Sequence, residues 1–149
     1  MSKVYVVDAS VWVSRFVPGD EYHLLSRSWL ATMLTRGDNV ASPALLLPEL
    51  AGAIARRTGF VDLATRAVEL IQEHLTVRLI PIDALLAEEG ARLAGKLRLR
   101  GADAVYVAVA NQLGIPLITW DHEQLTKGGR VATVLTPGQA LKGQRFSGN

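Results

Sequence analysis

A chain of 149 residues that is 49% hydrophobic and 20% charged can close one full-sized core and is too apolar to stay disordered. It has no cysteine, which excludes a disulfide scaffold, thiolate metal ligation and a cysteine nucleophile. The net charge of +2 is a mild basic excess, which gains meaning only if the acids gather in one cleft and leave the remaining surface more positive.

The first apolar run, Val4 to Val7, is far too short for an export signal or a membrane span, so a soluble cytoplasmic protein with no membrane association is expected. With no polar alternation, the run reads as a central strand buried on both faces, and it ends on Asp8. Ser10 to Val17 reads as a short helix capped by Ser10 and broken at Pro18-Gly19-Asp20. Leu24, Leu25, Trp29, Leu30, Met33 and Leu34 recur at helical spacing within Glu21 to Thr35. Val40-Ala41 is a short strand, and Ser42-Pro43 has the look of an N-cap with proline at the first helical position. Ala44 to Arg57 reads helical, with Pro48 tolerable if the continuous helix starts near Leu47 and Glu49 close to its first turn. Gly59 ends it, and Val61 to Leu75 supplies another helix.

Val77 to Ile82 is strand-like. Asp83 to Leu99 is amphipathic, and its last turns carry Arg92, Lys96 and Arg100 at spacings of four, which places the three on one helix face. Gly101 reads as its terminator. Ala102 to Leu113, with Asp103 in its first turn, is the most apolar helix and stops at Gly114. Ile115 to Trp120 reads as a strand running into Asp121, and Asp121 to Leu125 as a single turn. Val131 to Leu135 is a last strand, and Thr136-Pro137-Gly138 opens a terminal turn or short helix. The alternation predicts a three-layer α/β/α domain over residues 1–141, with a central parallel sheet of about five strands. Residues 142–149 are expected to form a flexible tail.

Most of the acids have ordinary addresses at helix starts or on solvated helix faces. Asp8 and Asp121 instead end buried strands, Glu49 follows an apolar run, and Asp103 opens a helix with little solvent-facing surface. In open α/β sheets the crevice beyond the carboxyl ends of the strands is the usual ligand site. Carboxylates in such surroundings are costly unless they are hydrogen-bonded, paired with a cation or bound to metal. Capping and turn hydrogen bonds are the competing account for each acid taken singly. Together, Asp8, Glu49, Asp103 and Asp121 describe an all-oxygen site for a hard divalent cation, Mg²⁺ or Mn²⁺ rather than Zn²⁺. Ser10 and Thr119, each two residues from an acid, are placed to orient a carboxylate, with capping and strand packing as the alternatives. His122 reads as a surface histidine, and Trp12, Trp29 and Trp120 as core or interface residues. Arg92, Lys96 and Arg100 are candidates for holding phosphates near the cleft, against the reading of a solvated face.

The segments VVDASVWV, SPALLLPELAGAI, RGADAVYVAVA and LITWD, taken in that order, resemble the PIN-domain ribonucleases, and more narrowly the VapC type of toxin from prokaryotic toxin–antitoxin pairs. The resemblance covers essentially the whole chain. It implies an endoribonuclease dependent on Mg²⁺ or Mn²⁺, with Asp8, Glu49, Asp103 and Asp121 as its catalytic, metal-holding acids and Ser10 and Thr119 as accompanying hydroxyls. It further implies a homodimer and a small antitoxin whose tail fills the cleft. Glu123 is a weaker additional acid. The rival readings are an RNA-processing nuclease without an antitoxin, a phosphatase or phosphoacceptor domain, and an inactive PIN-like protein-binding module. A haloacid-dehalogenase-like site wants an aspartate where Ser10 stands, and a receiver-like site wants acids and a late lysine that the chain lacks.

Overall fold

The computed structural model describes residues 2–146, and its organising strand is β1 (Val4–Val7). Because side chains alternate across a strand, Tyr5 and Val7 enter one hydrophobic cluster and Val6 the other, and all three are buried. On the Tyr5 side lie α1 (Ala9–Phe16), α2 (His23–Thr35), α3 (Leu46–Thr58) and α4 (Val61–Glu73), around Trp12, Trp29, Met33, Leu50, Ile54 and Ile71. On the Val6 side lie α5 (Ala84–Leu97) and α6 (Gly101–Leu113), around Leu93, Leu97, Tyr106 and Val107. The helices α5 and α6 approach closely at Gly90, where an added Cβ would stand 3.1 Å from Val105 Cγ2.

The sheet is entirely parallel, with β2 (Asn39–Pro43), β3 (Val77–Ile80), β4 (Leu117–Ile118) and β5 (Val134–Leu135) in the order β3-β2-β1-β4-β5. The short helix α7 (His122–Lys127) and a 3-10 turn, Gly128–Arg130, follow β4, and α8 (Pro137–Phe146) follows β5. The chain winds outward from β1 through β2 to β3, then crosses back to place β4 on the other flank of β1. The topological switch point therefore lies between β1 and β4, where a crevice opens past the strand ends.

Several boundaries differ from the sequence reading, each for an identifiable reason. Ser42-Pro43 does not start a helix: both residues belong to β2, and Pro43 pairs with Ile80. Ser42 Oγ accepts from Val7 N at 3.0 Å and donates to Val7 O at 2.9 Å, so this side chain continues the β1–β2 seam beyond the backbone pairing. Pro48 lies in the first turn of α3, where its missing N–H costs no helical hydrogen bond. The Ile115–Trp120 strand contracts to Leu117–Ile118, because the N–H of Trp120 turns to Ser10 Oγ at 3.0 Å.

Gly101 is not the terminator of α5. Arg98 takes the left-handed conformation at φ 56, its carbonyl receives Lys127 Nζ at 3.0 Å, and Gly101 becomes the first residue of α6. Residues 142–146 of the expected tail continue α8, and residues 147–149 lie outside the described residues. Among the described residues no helix is long and apolar enough to cross a membrane.

Candidate active site

Each of the four principal acids, Asp8, Glu49, Asp103 and Asp121, arrives at the β1–β4 crevice on its own element. Asp8 leaves β1 and caps α1, accepting from Ser10 N at 3.1 Å; it displaces Ser10 from the capping role expected of it. Glu49 sits in the first turn of α3 and Asp103 in the first turn of α6. Asp121 follows β4 and caps α7, accepting from Gln124 N at 2.9 Å. All four line one open cavity of about 690 Å³, together with Ser10, Tyr22, Arg56, Arg100 and Trp120. Glu123 and His122 do not line it: Glu123 pairs with Lys127 at 3.1 Å, and His122 is exposed.

A buried hydroxyl relay holds Asp8. Thr119 Oγ1 lies 3.1 Å from Asp8 Oδ2, 3.3 Å from Ser10 Oγ and 2.7 Å from Gln124 Oε1, and it accepts from Asp121 N at 2.9 Å. A single proton cannot serve every acceptor at once, so Thr119 couples the positions of Asp8, Asp121 and Gln124 without satisfying all of them. Gln124, fully buried, also donates to Asp103 O at 3.3 Å and so ties three of the four acidic segments together. The sequence reading missed this residue because a glutamine on a short polar helix carries no buried-position signal. Gln124→Leu is expected to lower stability by about 2 kcal/mol, several degrees in Tm, by orphaning Thr119 and the Asp103 carbonyl. An unchanged thermal melt would show that the relay has no structural weight.

The electrostatics are those of crowded acids. Burial pushes the Asp8 carboxyl upward, the Ser10 and Thr119 hydrogen bonds oppose this, and the Asp121 charge adds to it. Burial likewise raises Asp103, with Asp121 adding and Arg100 countering. Glu49 is raised to about 7, first by burial and then by Asp8 and Asp103, while Tyr106 and Arg100 hold it down. Tyr106 itself is pushed up by burial and by the Asp8 and Glu49 charges. Although Tyr106 is near enough to influence Glu49, both Glu49 Oε1 and the Tyr106 hydroxyl are buried side-chain atoms without a hydrogen-bond partner.

Arg100 is the cation paired with the site acids. It donates from Nε to Asp103 Oδ2 at 3.2 Å, and its Nη2 lies 3.9 Å from Asp121 Oδ1, while 77% of its side chain stays exposed. The expected basic face of Arg92, Lys96 and Arg100 does not form, because α5 ends at Leu97 and Arg100 caps the next helix. Arg92 is turned to Glu89, at 2.6 and 3.0 Å. Trp12 and Trp29 are buried as expected, whereas Trp120 is only half-buried and lines the cavity.

The donor set is all oxygen, and no histidine lines the cavity. That chemistry fits a hard divalent ion. The carboxylates are not drawn together, however: among the described residues no three acids or histidines are near enough to hold one ion as they stand. Asp8 is turned toward Ser10 and Thr119, Asp103 toward Arg100, and Asp121 toward the α7 amides.

A model of the PIN domain matches residues 5–129 of the chain. No curated protein matches it. Among solved structures the chain is similar to VapC20 of Mycobacterium tuberculosis, a toxin described as cleaving the sarcin-ricin loop. The identity is 24% and the TM-score 0.68, over 79% of this chain and 89% of that one. A protein of Pyrobaculum aerophilum is similar at 24% identity and TM-score 0.69, over 99% of this chain and 100% of that one. A chain of a toxin–antitoxin complex from Klebsiella pneumoniae is similar at 18% identity and TM-score 0.62, over 91% and 98%. At such identities these likenesses establish the fold.

Proposed function

The chain belongs to the PIN domain family, and from that premise we propose that it is a divalent-metal-dependent endoribonuclease, the toxin of a toxin–antitoxin pair. The observation that carries this reading is the convergence of Asp8, Glu49, Asp103 and Asp121 on one open cavity. The raised proton affinities of Asp8, Glu49 and Asp103 support a cation-binding role. Asp8, Asp103 and Asp121, completed by Glu49, would hold Mg²⁺ or Mn²⁺, which supplies an activated water at neutral pH and screens charge developing on the phosphate.

The chain's own residues do the remaining work. Ser10 and Thr119 fix the Asp8 carboxylate, and Gln124 fixes Thr119. Glu49, on the same cavity wall, would complete the metal's shell or position the attacking water. Arg100, on the exposed side of Asp103, presents its guanidinium to a phosphate oxygen of the strand.

RNA as the substrate rests on family membership, and the toxin role on the similar toxin and toxin–antitoxin structures. A small antitoxin, a homodimeric state, residues 1–141 as the nuclease unit and a cytoplasmic location complete the proposal. Incubation of a mixed structured-RNA pool with Mg²⁺, Mn²⁺ or EDTA tests it: cuts that need the metal are expected, and metal-independent cutting would refute it. The basic residues separate in the same assay format. Arg100→Ala is expected to reduce the salt slope of RNA binding by about 0.7, one phosphate's worth on a single strand. Arg92→Ala, which removes a residue already paired with Glu89, is expected to leave the slope unchanged. Equal slopes for the two variants would remove Arg100 from the RNA path.

A further inference from the structure

A pair of aromatic rings stands in the wall of the acidic cavity, where the catalytic scheme above gives it no part. Tyr22 and Trp120 stack face to face, with ring centroids 4.0 Å apart and planes inclined by 8°, and both line the cavity. The indole is fixed on two sides. Its Nε1 donates to Ser26 Oγ at 2.7 Å, and Ser26 Oγ lies 2.6 Å from Ser14 Oγ, while the Trp120 backbone N–H is held by Ser10 Oγ.

Tyr22 is fixed as well. Its N–H donates to Asp20 Oδ1 at 2.8 Å, and Asp20 Oδ2 receives Arg57 Nη1 at 2.7 Å, which anchors the turn before α2 to the end of α3. The tyrosine nevertheless keeps 37% of its surface exposed. A core aromatic pair is buried, whereas this one is stacked in the cavity wall with Tyr22 partly exposed. Trp120 is also the neighbour of Asp121, so the stack begins about 3.8 Å along the backbone from a site acid.

We infer that Tyr22, backed by Trp120, is the platform on which one unpaired base of the RNA stacks beside the scissile phosphate. The inference rests on the nuclease reading and adds a requirement to it: the base at that position must be unstacked and single-stranded, because a base within a duplex has no free face. Stacking tolerates any of the four bases, since each offers a π-face. Arg56, which lines the same cavity, supplies positive charge for the adjoining backbone. The rigidity of the ring pair means that little ordering entropy remains to be lost when the base arrives.

The test uses the Asp8→Asn protein in Mg²⁺, so that RNA stays intact, and a short unstructured RNA with 2-aminopurine placed at each position in turn. One position is expected to show strong fluorescence quenching on binding. Tyr22→Ala in the same background is expected to weaken binding roughly 5- to 150-fold and to abolish that quench, while Tyr22→Phe retains both. An abasic nucleotide at the quenched position should weaken the Asp8→Asn protein by a similar factor and have no further effect once Tyr22 is alanine. Unchanged affinity in Tyr22→Ala, or a loss that is equally large with the abasic RNA, would overturn the inference and leave the ring pair as a wall or a protein contact. The nuclease reading fails separately. Quenching and Tyr22-dependent binding without metal-dependent cutting by the wild type would keep the platform and remove the catalysis, and cutting without Tyr22-dependent binding would do the reverse.

Discussion

Asp8→Asn is expected to reduce metal-dependent RNA cleavage by more than about 100-fold, because even outer partners of a metal site cost 10–100-fold when lost. The same substitution is expected to raise the Tm of the metal-free protein at pH 8 by a few degrees. Asparagine caps a helix as well as aspartate does, so the hydrogen bond from Ser10 N survives and α1 keeps its start. What disappears is a negative charge that burial and Asp121 both make unfavourable. Relief of such a charge stabilises a protein even while it disables the site. Thermal melts in EDTA, run beside the cleavage assay, separate the two effects. A lower melting temperature in the variant would mean that Asp8 is held as a structural cap whose carboxylate is worth more than its desolvation cost. Undiminished cleavage at saturating Mg²⁺ would remove Asp8 from the site.

The acids were legible in the sequence because of their surroundings. An aspartate at the exit of a continuous apolar run such as Val4–Val7 stands out even though it caps a helix, and so do Glu49 after Ala44–Leu47 and Asp103 ahead of Val105–Ala110, because each is an acid set in apolar surroundings. The parallel sheet was legible for a related reason: buried strands lack polar alternation, and helical segments of the right length separate them.

Other features depend on tertiary partners that leave no local trace. Ser42 looks like a helix cap, yet its hydroxyl is worth more as a bridge to Val7 across strands 35 residues apart. Gly101 looks like a helix stop, but Arg98 bears the left-handed conformation, and Lys127 reaches its carbonyl from another helix. Spacing alone put Arg92, Lys96 and Arg100 on one face, and that break in α5 is what separates them. Gln124 and the Tyr22–Trp120 stack are contacts between distant segments, and neither residue type nor spacing announces them.

In EDTA the protein is expected to lose stability as the pH rises from about 4 through about 7, and divalent metal is expected to restore it. Asp8, Glu49 and Asp103 all have folded-state values above their ordinary ones, so between those values the folded chain holds protons that the unfolded chain has released. Stability therefore falls with pH. It is fully present below the ordinary values of 3.8 and 4.5 and, for Glu49, is lost as the pH passes through about 7. The Glu49 contribution is at most about 3 kcal/mol, and less once solvent screening of a partly exposed carboxylate is counted.

Glu49→Gln should flatten the part of the curve that approaches pH 7 and leave the acid side unchanged. Mg²⁺ or Mn²⁺ at about 100 times its Kd adds about 2.7 kcal/mol, or roughly 5–10 °C in Tm for a chain of this size. That increment should grow with pH, because the ligands must shed their protons to bind. The two slopes are thus opposite in sign and arise from the same carboxylates: protons and metal compete for one set of oxygens. A metal increment independent of pH would place the ion elsewhere on the protein. A flat EDTA curve would mean that the four acids are solvated singly, and the cavity would then lack the charge density on which a metal-dependent nuclease relies.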